Sequence, residues 1–93
     1  MYNKCVVITF DPAKDSSNQR KHGVSLADAG AFEWDDAVVR EDTRREYGER
    51  RMVALGYIGV RLYCAIYVDR GEERRIISLR KANSREVKHY AEA

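Results

Sequence analysis

Proline is nearly absent from these 93 residues: Pro12 is the only one. With no Pro-rich or Gly/Ser-rich stretch either, the chain offers no linker on which to divide, and its length allows one domain around one core, residues 1–93. Cysteine is as scarce. Cys5 and Cys64 lie far apart in strand-like runs, which excludes a disulfide scaffold and reads as two buried thiols in a reducing compartment. No apolar run approaches a membrane span, and the opening "MYNKCVVITF" is too short and poorly flanked for a secretory signal. The expected location is the cytoplasm, with no membrane partner. Histidine occurs twice, at His22 and His89, without a cysteine nearby. That spacing suggests no zinc site, and neither metal nor cofactor is expected. G-x-x-x-x-G-K-[ST], G-x-G-x-x-G and G-x-S-x-G are all missing, so nothing points to a phosphate-cradling loop or a nucleophile elbow.

Charge, by contrast, is plentiful. Charged residues make up 34% of the chain and apolar ones 44%, enough for a small core. A net charge of +2 conceals a division: residues 28–49 carry a net −5 and residues 50–93 a net +5. A fold that gathers the basic segments would present a face suited to a polyanion, with an acidic patch elsewhere. Simple solvation of a small surface explains the same charges equally well.

The apolar pattern predicts an α+β domain. "KCVVITF" (4–10) reads as a β-branched strand. Asp11 as cap, Pro12 at the first helical position and Gly23 after Lys-His predict a helix over 12–22. "SLADAGAF" (25–32) reads as a second helix capped by Ser25, with Leu26, Ala29 and Phe32 on its buried side. An edge strand is expected around 36–41, then strands at 50–58, 60–69 and 74–80, turning at Gly59 and at "DRGEE". Asn83, with Glu86 three residues on, opens a last helix ending near Tyr90. The expectation is a mainly antiparallel sheet of four to five strands, with two N-terminal helices and one C-terminal helix. Alternation over 60–69 puts Leu62, Cys64, Ile66 and Val68 in the core and Arg61, Tyr63, Ala65 and Tyr67 on a half-wet face. In 74–80 either face carries an arginine, so alternation does not choose between them.

The first helix is anomalous, because between Pro12 and Gly23 its only apolar side chain is Ala13. Lys14, Asn18 and His22 fall at i, i+4 and i+8 and form one polar stripe. Such a stripe suits a phosphodiester ligand, with His22 as acid or base. A solvated face, with His22 assisting the helix end, is the plain alternative. Tyr57, Tyr63, Tyr67 and Tyr90 read as packing residues of a small sheet.

"FDPAKDSSNQRKHGVSLADA", the paired arginines of "ERRMVALG" and "RRIISLRKANSREVKHY" together resemble the BrnT family of toxins from type II toxin–antitoxin pairs. The resemblance spans nearly the whole chain, with its blocks in order. The chain departs from the family in "ITFDP", where an aromatic-Glu-Trp-Asp opening is usual, and in "FEWDDA", where Phe-x-Asp-Pro is commoner. The resemblance implies a RelE-like fold and metal-independent endonucleolytic cleavage of RNA that arrests growth by blocking translation. It also implies neutralisation by a BrnA-like antitoxin, with operator DNA bound only through that antitoxin. Carried over by position, it makes His22, Arg51 and Arg80 the candidate catalytic residues, and Lys14, Asn18, Lys21, Arg75 and Tyr90 the candidate substrate contacts; Glu86 and Gly23 match too. Glu49 is a further candidate for proton transfer. A non-catalytic nucleic-acid-binding or co-repressor protein is the alternative from another class.

Overall fold

A computed structural model describes residues 6–93; the expectations for Cys5 and for the start of the first strand lie outside them. Strands β1 (Val7–Thr9), β2 (Val38–Glu41), β3 (Met52–Ile58), β4 (Arg61–Arg70) and β5 (Glu73–Lys81) form one sheet, with helices α1 (Pro12–His22) and α2 (Ser84–Glu92). The strand order is β1-β5-β4-β3-β2. β1 runs parallel to β5 and the other pairings are antiparallel, so the sheet is mixed. The expected second N-terminal α-helix is instead a 3-10 segment, Leu26–Ala31, followed by a second 3-10 turn at Trp34–Asp36. Its sequence explains the shortening: Gly30 lies inside it, and the chain turns extended at Phe32. The expected buried side still holds, since Leu26, Ala29 and Phe32 are buried. Among the described residues no helix is long and apolar enough to cross a membrane.

Local signals fix most element ends. Asp11 accepts a hydrogen bond from the Ala13 amide, Pro12 opens α1, and Gly23 closes it in the left-handed region at φ 71°, with its N–H on Gln19 O. α2 begins with a complete capping box: Asn83 Oδ1 accepts from the Glu86 amide, and Glu86 Oε1 accepts from the Asn83 amide, each at 2.9 Å.

The sheet buries side chains on both faces. The larger core joins Val24, Leu26, Ala29 and Phe32 to Ala54, Ala65, Tyr67, Ile76 and Leu79. Burial of each large aliphatic side chain here contributes roughly 1.5–3 kcal/mol. Gly56 is required by this packing, because a Cβ there would meet the Phe32 ring at 2.7 Å. The opposite face holds a smaller cluster of Val53, Leu55 and Cys64 with Val38, Ile66 and Tyr90. The expected half-wet face of β4 is therefore wrong, for Ala65 and Tyr67 belong to the main core, with Tyr63 packed against it. Alternation identified the two faces but not their layers, since covering elements lie on both sides.

β5 contains a bulge. Ile66 pairs with Ser78 but Tyr67 pairs with Ile76, which leaves Ile77 without a partner. The extra residue resets the alternation, so Arg75, opposite Val68, and Arg80, opposite Cys64, share one face despite an odd separation. Arg74 turns to the other face. There it stacks 4.6 Å from the Trp34 ring and 4.5 Å from Tyr67, and it donates to Asp69 at 2.8 and 3.0 Å.

Candidate nucleic-acid interface

α1 is attached by polar contacts instead of an apolar stripe. Asn18 is buried, and its Nδ2 donates to Val24 O and Leu79 O at 2.8 Å, while its Oδ1 accepts from the Leu79 amide at 3.2 Å. Asp15 Oδ1 accepts from the Ser25 hydroxyl at 3.0 Å and from the Leu26 amide at 2.8 Å. β1 pairs β5 only as far as Arg75, and beyond it the Asn18 amide satisfies the open strand edge. Asn18 thus ties α1 to the edge of β5. Lys14, Asn18, Lys21 and His22 line a shallow cleft of about 180 Å³ at this edge, with Ser17, Ile77 and Ser78.

The arginine-bearing face lies on the side of the smaller cluster. At one end Arg51 sits with its guanidinium carbon 4.1 Å from the Tyr47 ring centre. Tyr47 in turn donates its hydroxyl to the buried Asp42 at 3.1 Å, and Asp42 also accepts from Arg44 Nε and Nη2, both at 2.8 Å. Those Arg44 bonds hold the Asp42 carboxyl well below the usual carboxylate range. Glu49 accepts from Arg70 at 2.7 and 3.1 Å. Arg70's hydrogen bond does most to hold the Glu49 carboxyl below its ordinary value, and the charges of Arg51 and Arg75 add to the effect. Arg70 is thus the hydrogen-bonded partner of Glu49, with the charges of Arg51 and Arg75 in its surroundings.

At the other end Arg80 is held by Glu86. Arg80 Nη1 donates to Glu86 Oε1 at 2.8 Å and to Lys81 O at 3.2 Å, and Nη2 donates to Glu86 Oε2 at 2.9 Å. The guanidinium carries five donor hydrogens. Nε–H and the second Nη2 hydrogen, which together make its side-on fork, have no partner among the described residues. Glu86 itself is pulled below its ordinary value, first by Arg80's hydrogen bond. Cys64 lies beneath the pair, where burial pushes its thiol up to about 11 and keeps it protonated at neutral pH.

Arg80 and Arg75 stand apart along the sheet. The strand register places Arg80 opposite Cys64 and Arg75 opposite Val68, so their backbones lie roughly 13 Å apart along β4, and Arg51 precedes β3 at the Arg75 end. Tyr90 serves the fold: its hydroxyl donates to Asp36 O at 3.1 Å and its ring meets Tyr57 edge-on at 5.4 Å. This binds α2 to the sheet. His22 stays in the α1 cleft. The imidazole in the cleft beside Glu86 is that of His89, on α2. Sequence reasoning missed His89, although its place three residues after Glu86 puts both on one helical face. This cleft has a volume of about 300 Å³, an aliphatic floor of Val38, Val53 and Leu55, and a polar rim that includes Arg40 and Arg85. Asp28, Glu33, Asp35 and Asp36 of the acidic segment are exposed, while its C-terminal part is drawn into ion pairs. Glu41 pairs with Arg50 and Glu49 with Arg70, so acidic and basic halves partly neutralise each other.

Fold and site together describe a small α+β protein with an arginine-lined sheet face suited to a polyanion. A family model described as the ribonuclease toxin BrnT of type II toxin–antitoxin systems matches residues 10–86. The crystal structure of the Brucella abortus ribonuclease toxin BrnT is similar at a TM-score of 0.66 and 26% identity, over 85% of this chain and 99% of that one. No curated protein matches the sequence. The chain belongs to the BrnT ribonuclease toxin family.

Proposed function

We propose that the protein is a metal-independent endoribonuclease that arrests growth by blocking translation and is neutralised by a BrnA-like antitoxin. Operator DNA is contacted through that antitoxin. The observation that carries this reading is Arg80, fixed end-on by Glu86 with its side-on fork left open. A guanidinium so held can span two phosphoryl oxygens without reorganising as charge develops.

In the reaction, a 2′-hydroxyl gives up its proton as its oxygen bonds to the adjacent phosphorus. The bond from phosphorus to the 5′ oxygen then breaks, and that oxygen takes a proton. The products are a 2′,3′-cyclic phosphate and a 5′-hydroxyl. Arg80 stabilises the phosphorane, and His89, lining the cleft beside Glu86, carries protons. Arg51 and Arg75 bind a more distant phosphate of the same strand, while Lys14, Lys21 and His22 steer the backbone along the β5 edge.

Cleavage of a defined RNA by the purified protein, with end-group analysis, tests the reading. Cyclic phosphate ends from wild type and none from Arg80→Ala are expected. Unchanged RNA, together with normal growth on induction of folded protein, would favour a binding-only co-repressor.

A further inference from the structure

We infer that the cleft beneath α2 is a guanine-reading pocket that selects the nucleotide at the cutting site. The inference rests on the ribonuclease reading above and adds its base preference. Val38, Val53 and Leu55 give the cleft an aliphatic floor, which a phosphate cannot use and the face of a nucleobase can. Its volume of about 300 Å³ is at the small end for ligand sites and suits one ring system.

The rim decides which base. Glu86 Oε1 is filled by Arg80 Nη1 and the Asn83 amide, while Oε2 accepts from Arg80 Nη2 and keeps one lone pair. The Asn83 side-chain oxygen is committed to the Glu86 amide. Arg40 and Arg85 on the same rim have no hydrogen-bond or ion-pair partner among the described residues, and they only donate. Two adjacent acceptors for an arginine fork are O6 and N7 of guanine; adenine and cytosine present an amino donor in that region, and uracil offers the single O4. Glu86 joins the two halves of the site, because it lines the cleft and also holds Arg80. A guanine in the cleft therefore sets its own phosphodiester at the open fork of Arg80, and cuts fall next to guanosine.

Titrating the full chain with GMP, AMP, CMP, UMP and ribose 5-phosphate, followed by amide and methyl NMR shifts, tests the inference without requiring cleavage. GMP is expected to bind at least about tenfold more tightly than the other four, with shifts at Val38, Leu55 and His89. Arg40→Gln or Arg85→Gln, both at exposed positions, should abolish that preference and leave ribose 5-phosphate binding unchanged. Equal binding of GMP and ribose 5-phosphate would make the site an anion site and overturn the inference. Equal binding of the four nucleotides, or none, would overturn it as well. Failure to cut RNA would count against the ribonuclease reading alone, whereas cutting without guanosine bias and without GMP preference would remove only the pocket.

Discussion

Replacing Arg80 by lysine keeps the charge and removes the fork. In the wild type three of the guanidinium hydrogens are engaged, two on Glu86 and one on Lys81 O, leaving a two-donor edge for substrate. A lysine ammonium has three hydrogens on one nitrogen. Held by Glu86, it offers no planar pair; turned to the phosphate, it abandons Glu86. Loss of one aligned transition-state donor lowers kcat by about 10²–10³-fold, roughly 3–4 kcal/mol. The cost to stability is smaller, about 1 kcal/mol, because one partly exposed charged hydrogen bond is lost while the pairing persists. Single-turnover cleavage of a defined RNA, with urea unfolding measured in parallel, separates the two effects. RNA affinity should stay within a few-fold of wild type. Cleavage by Arg80→Lys within threefold of wild type would refute the reasoning and transfer the role to the Arg51–Arg75 end.

Asn18→Ala removes three bonds to buried backbone groups and should cost about 3 kcal/mol, seen as a fall in Tm of more than about 10 °C, with cleavage per folded molecule unchanged; a loss below 1 kcal/mol would contradict its structural role. Asp42 has a native pKa depressed by Arg44, so its contribution is present above the unfolded value near 3.9 and is lost as pH falls below it. Urea midpoints between pH 6 and 3 should therefore drop more for wild type than for Asp42→Asn, and equal drops would contradict the assignment. If Lys14 contacts the RNA backbone, Lys14→Ala should reduce the slope of log affinity against log salt by about 0.7; an unchanged slope would remove Lys14 from the interface.

Where the chain's own neighbours decide structure, the sequence was legible. The caps at Asp11, Ser25 and Asn83, the end of α1 at Gly23 and the turn at Gly59 are local hydrogen-bond and dihedral matters, and all stand in the structure. Features that depend on partners distant in sequence were not. The bulge at Ile77 exists only in the pairing with β4, yet it decides that Arg75 joins Arg80 and Arg74 does not. The polarity of Asn18 was visible in the sequence, whereas the open edge of β5 that it completes was not. Arg80 and Glu86 were marked by resemblance; their mutual grip, and the nearness of His89 to them, come from the fold.

The central claim is RNA cleavage carried by the protein's own side chains. Incubation of the purified chain with RNA in excess EDTA tests it most directly. The account predicts 2′,3′-cyclic phosphate and 5′-hydroxyl ends formed at the same rate with and without the chelator. Cleavage abolished by EDTA and restored by added divalent metal would contradict it.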